Sequence, residues 1–284
     1  MKELLKNFFK KKAVKITAIV LASVLLVLLI LELGSVIMAT LAHPWSPSYE
    51  REDISKLLDG ELDDEDYDTL YRQTGLTRIG IDDLLAAGRR TKILKIQDSF
   101  FAKDDYESEL FGAFVCAYDR KGGVPYEYPI LRDGDVICCF STYLSFIEIG
   151  HCGIVIDGER GIIAESAGYS TEFKLVSAEG FFTCTSFIVL RPDCDEEIRS
   201  AAVEYVKENM LGAKYDILAG IFEKKDREPL RATHCSHAVW YAYNKVGVEI
   251  DSNGGKIVTP KDISLSENLK IVAVRGVDIF DVYR

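Results

Sequence analysis

The chain has 284 residues, 48% of them apolar, and a formal charge of −11. That length accommodates one ordinary domain with appendages. The acidic balance argues against nucleic acid and against docking on anionic lipid, because both present dense negative charge.

The N-terminus comes first. An uncharged, largely apolar run covers Ile16 to Leu31 and, after Glu32, resumes from Leu33 to Ala42. At ~1.5 Å per helical residue, ~20 such residues cross the ~30 Å hydrocarbon layer. A cleaved signal peptide is the rival reading, since Thr40-Leu41-Ala42 would serve as a cleavage site. Its apolar region is usually only ~7–15 residues, however, which favours an uncleaved anchor over 16–42. Six lysines (Lys2, Lys6, Lys10, Lys11, Lys12 and Lys15) precede the run, and the residues after it are nearly neutral and then acidic. The positive-inside rule then puts residues 1–15 in the cytoplasm and 43–284 outside, a single-pass cell-membrane protein. His43 falls at the membrane edge.

Pro44, Pro47 and neighbouring serines form a linker. Residues 50–90 read as helical, with Ile54, Leu57 and Leu58, then Tyr67, Leu70 and Tyr71, at helical spacing. Within them GELDDEDYD lacks the ligand order of a calcium loop and fits a solvated helix start. Residues 43–129 are thus expected to be a linker and an acidic helical region. From about residue 130 the texture changes. DGDVICCF, HCGIVID, GIIAES and TSFIVLR are short β-rich runs between Gly or Asp turns. Helical stretches follow at 195–211 and 235–246, and NLKIVAVRG returns to strand. An α+β domain over 130–284 is expected, a small antiparallel sheet with packed helices.

Seven cysteines is an odd number, so an exported domain keeps at least one thiol unpaired or bonded to another chain. No CxxC occurs. Cys138 and Cys139 are adjacent, so on a strand they face opposite sides and pack as small apolar groups.

The stretch THCSHAVWYAY, residues 233–243, holds the sharpest signal. Ala238, Val239, Ala242 and Val246 mark one helix face, Gly247 suits the C-terminal cap, and Thr233 suits the N-cap. Cys235 then lies in the first turn, where free backbone N–H groups and the positive helix end favour thiolate. Its own N–H is available to an oxyanion. A thiolate hydrolase also needs a base and an orienting group. His234 and His237 are too close in sequence for easy geometry, which leaves His151. If HCGIVID and GIIAES pair around the Asp157-Gly158 turn, His151 and Glu165 lie near one another across the ladder. A zinc site of His234, Cys235 and His237 would crowd three ligands into four residues, unlike known zinc spacings. No metal or cofactor is expected. Cys152, beside His151, should face the other side of the strand; a shifted register would make it a rival thiol.

The order GDV, GHCGIV, Glu165, GAKYD, HCSHAVW, TPKDISLSENLKIV resembles the circularly permuted NlpC/P60 papain-like hydrolases, in their YiiX/YebB-like branch, over about residues 130–275. The resemblance implies Cys235 as nucleophile, His151 as base, Glu165 as the third triad member and Tyr215 as an aid to substrate or oxyanion. Asp216 would cap or pin a helix. His237 departs from the family pattern, and residues 43–130 match nothing in it. The activity implied is a thiol amidase, outside a bacterial-type membrane most naturally on cell-wall peptides. Permuted relatives also include acyltransferases and lipid hydrolases, and an inert anchored binding module is a third reading. Nothing in the sequence fixes an oligomeric state.

Overall fold

The computed structural model describes residues 2–41, 45–102, 106–110 and 114–278. His43 and Pro44 lie outside the described residues. The chain opens with one 40-residue helix, α1 (Lys2–Leu41), of which Lys12–Leu41 is long and apolar enough to cross a membrane. The lysine-rich tail is therefore continuous with the apolar span. Glu32, the one charge inside the apolar run, accepts a hydrogen bond from the Phe114 N–H at 3.1 Å.

Three helices follow: α2 (Asp64–Thr74), α3 (Arg78–Ala86) and α4 (Arg90–Phe100). The acidic cluster does start a helix. Asp63 caps α2 by accepting from the Asp66 N–H, Asp66 reciprocates toward the Asp63 N–H, and the first-turn acids face the positive helix end. The strands are β1 (Tyr106–Leu110), β2 (Val115–Arg120), β3 (Val136–Cys139), β4 (Thr142–Leu144), β5 (Ile147–Glu148), β6 (His151–Asp157), β7 (Ile162–Glu165), β8 (Lys174–Ser177) and β9 (Phe187–Pro192). Then come α5 (Glu196–Asn209), β10 (Lys214–Tyr215), β11 (Ala232–Thr233), α6 (Cys235–Lys245), α7 (Pro260–Ser264) and β12 (Leu269–Arg275).

The expected α+β class holds. The main sheet runs β12-β9-β3-β6-β7-β8 with every neighbouring pair antiparallel. A smaller sheet, β1-β2-β4-β5, was not anticipated. It grows directly out of the end of β3 and packs against α1.

Both faces of the main sheet are covered, which is why its strands read as unbroken apolar runs. On one face Cys138, Cys152, Ile154 and Leu190 pack with α5 and α6 through Val203, Ala238 and Ala242. On the other, Ile137, Cys139, Val155 and Val189 pack with Ile81, Leu84 and Ile93 from α3 and α4. Cys138 and Cys139 thus face opposite sides as small apolar groups, and all seven thiols are free.

A buried ion pair ties the second layer to the sheet. Asp135, fully buried, accepts from both Arg191 Nε and Nη2 at 2.8 Å, while Arg191 Nη1 reaches Asp83 of α3 at 2.6 Å. Removing one partner strands the other charge in a dry environment. Asp135→Ala is expected to cost about 3–5 kcal/mol in denaturant unfolding of the detergent-solubilised chain. A loss below about 1 kcal/mol, the scale of an exposed pair, would contradict this.

Candidate active site

β6 and β7 form a hairpin in which Ile154 faces Ala164 and Val155 faces Ile163. Continuing that register sets Glu165 opposite Gly153, one diagonal step from His151 on the same face. The side chains meet: His151 Nε2 lies 2.7 Å from Glu165 Oε2. Nε2–H donates to the carboxylate, so Nδ1 is the nitrogen left for a second partner.

Cys235 is the group placed to take that role, since its thiol and this imidazole shift one another. It opens α6 and is partly exposed. The N-cap, however, is His234 rather than Thr233: its Nδ1 accepts the His237 N–H at 3.5 Å. Thr233 is taken up by β11, where it pairs with Tyr215, and its hydroxyl bonds His237 Nδ1 at 2.8 Å. The shift leaves Cys235 as the first helical residue, whose N–H has no intrahelical acceptor.

The thiol is held well below the ordinary 9.0, first by a hydrogen bond from Cys152, then, against the cost of burial, by His151 and His234. Burial alone would push the His151 imidazole down, but hydrogen bonds with Cys235 and Glu165 outweigh it and raise it from 6.5 to about 10. Both shifts favour a thiolate–imidazolium pair.

Cys152 does point away from His151, as strand alternation requires, but that face is the one α6 covers. Its thiol lacks the activation of Cys235. Burial and the thiols of Cys138 and Cys235 push its own thiol well above 9.0, so it stays protonated and donates to Cys235. Cys138 stands directly across the ladder from it.

His237 is structural. It is 3% exposed, bonded to Thr233 and to the Lys225 carbonyl at 2.9 Å, and burial lowers it to about 4. Tyr215 is brought to the site: burial raises its hydroxyl, and the Cys235 charge raises it further. Asp216 pins a turn rather than a helix, its carboxylate accepting the Leu218 N–H at 2.9 Å. Among the described residues no group of His, Cys, Asp and Glu is arranged to hold a metal.

Two features escaped the sequence reading. Phe181 stacks on His151 with ring centroids 5.1 Å apart and planes 24° from parallel. Gly153 makes room for it, since a Cβ there would lie 2.8 Å from Phe181 Cζ and 2.5 Å from Ile163 Cγ2. The glycine in HCGIV, two residues past the histidine and hence on its face, was the available signal.

No family model, curated protein or solved structure matches the chain.

Two outcomes follow from this geometry. Gly153→Ala displaces Phe181 and is expected to slow alkylation of Cys235 while the chain stays folded by circular dichroism; an unchanged rate would contradict the stacking role. The second concerns pH. Between 6.5 and 9.0 the folded pair (imidazolium and thiolate) and the unfolded pair (imidazole and thiol) each hold one proton, so the pair adds no slope to stability. Below 6.5 the unfolded chain binds more protons, and stability falls with falling pH. Above 9.0 it binds fewer, and stability falls as pH rises through about 10. The stability difference between wild type and His151→Ala should therefore be flat across that window and shrink on both sides. A difference that changes steadily through the window would contradict the ion pair.

Proposed function

We propose that the chain is a membrane-anchored thiol hydrolase with a Cys235-His151-Glu165 triad. One observation carries this reading: an imidazole whose Nε2 lies 2.7 Å from a carboxylate, close enough to a cysteine at a helix start to hold that thiol well below its ordinary value. The resemblance to permuted NlpC/P60 hydrolases supports it independently, through the order of the matching segments.

The Cys235 thiolate attacks an acyl carbonyl, forming the S–C bond and pushing the π electrons onto oxygen. The Cys235 N–H, at the positive end of α6, stabilises that oxyanion, with Tyr215 beside it. As the tetrahedral intermediate collapses, the imidazolium Nδ1–H of His151 protonates the leaving amine or alcohol. His151, now neutral, takes a proton from water, whose oxygen attacks the thioester and releases the acid and the thiolate. Glu165 fixes the tautomer and orientation of His151 throughout. The packed Phe181 ring keeps the imidazole from swinging away.

The substrate proposed is a cell-wall peptide bond. A second reading keeps the chemistry and changes the acyl group to that of a lipid. It is favoured by Ile217, Leu218 and Phe222, exposed apolar side chains on the loop that follows Tyr215.

The test is mass spectrometry of Cys235 after incubation with cell-wall peptides and, separately, acyl lipids. An acyl adduct is expected on Cys235 from one class and absent in Cys235→Ala. Glu165→Gln should lower turnover by about 10²–10⁴-fold, the scale of losing general acid–base support. Turnover that survives in Cys235→Ala would overturn the proposal.

A further inference from the structure

The ends of the main strands divide into an apolar side and a charged side. β3 ends, β6 begins and β7 ends at Cys139, His151 and Glu165, so the triad lies at one edge of the sheet. The small sheet that packs on α1 continues from that same edge, since β4 starts three residues after β3 ends. Its tips carry Leu110, Phe146 and Ile147, which are 50%, 54% and 65% exposed. The loop of Ile217, Leu218 and Phe222 leaves the same edge, since the Asp216 N–H donates to the carbonyl of Thr233, two residues before Cys235. Ser166, just past β7, bonds that same carbonyl through its hydroxyl. The opposite ends of these strands are different. The β6–β7 turn carries Glu159 and Arg160 and the link after β9 carries Asp193 and Asp195; among the described residues, no large apolar side chain is exposed at 157–161 or 192–196.

The depth of the tips along α1 indicates what covers them. The basic tail pins the start of the span near Ile16, and about 20 residues from there, the number needed for a ~30 Å layer, end near Ser35. Side chains from Lys12 to Ile30 are exposed all round, while Gly34 and Ser35 are buried against the domain. Ser145 and Phe146 cover Gly34: a Cβ there would meet Ser145 Oγ first and lie 2.6 Å from Phe146 Cε2. The β4–β5 tip therefore meets α1 near the end of the span, at the boundary between headgroups and acyl chains. Exposed apolar side chains at that level have acyl chains, not water, as neighbours.

We propose that this edge of the sheet docks on the bilayer that α1 crosses, with Leu110, Phe146 and Ile147 inserted beside the helix and the Ile217–Phe222 loop lying on the interface. The inference rests on α1 crossing a bilayer and deepens the functional reading: Cys235 opens onto the lipid surface, and the bond it attacks is presented there. The net acidity of the chain is no obstacle, because the attachment is apolar and needs no anionic lipid.

The test uses the full chain reconstituted into phosphatidylcholine vesicles, plain or brominated in the acyl chains, with single substitutions Ile147→Trp, Phe222→Trp and Arg160→Trp. The unsubstituted chain, with its two tryptophans, supplies the background emission to subtract. The added emission of Ile147→Trp and Phe222→Trp should be lost in brominated vesicles, and that of Arg160→Trp retained. Equal quenching of all three, or of none, would overturn the proposal. Loss at Ile147→Trp with full emission at Phe222→Trp would overturn the placement of the catalytic edge. A chain that fails to float with vesicles would remove the anchor and the docking together, while an acyl adduct on Cys235 would still stand as evidence for the thiol chemistry.

Discussion

A carboxylate 2.7 Å from a partly buried imidazole decides the character of this molecule. Left to its surroundings, His151 would be neutral, because a charge loses hydration where it sits. Glu165 on Nε2 and the neighbouring Cys235 together favour the charged ring. Each pKa unit gained this way corresponds to about 1.4 kcal/mol of preference for the ion pair. A hairpin register, a helix start and a packed phenylalanine converge on this one ring.

β6 organises that convergence in its first three residues. His151 faces the layer formed with α3 and α4 and rests on Phe181; Cys152 faces α6 and donates to Cys235; Gly153 clears the space that Phe181 fills. A one-residue slip would exchange these roles, but the strand is buried on both faces and paired on both sides, so the slip is costly. The helices of the N-terminal region matter here, since they share a core layer with Phe181, the ring on which His151 stacks. Asp83 and Arg191 lock that layer in place.

Much of this was legible in the sequence because it rests on short-range rules. Strand alternation with the Asp157-Gly158 turn brings His151 and Glu165 together, and the apolar period of residues 238–246 marks α6. The cap moved by one residue because Thr233 is drawn into pairing with Tyr215, a contact between segments separated by a loop. The small sheet left no pattern to find. Its strands are two to six residues long, with stretches such as YESEL that have no apolar face, and they are strands because α1 and one another supply partners. The role of Cys152 was half legible: its direction follows from the strand, but what lies in that direction depends on where α6 packs.

The most direct test of the account is the pH dependence of iodoacetamide alkylation at each cysteine in the full chain, with His151→Ala in parallel. The account predicts that Cys235 alone reacts fast, reaches its plateau well below the ordinary thiol value of 9.0, and moves toward that value in His151→Ala. A rate for Cys235 that rises with a midpoint near 9.0, and does not respond to His151→Ala, would mean that the imidazole and the thiol do not share a proton.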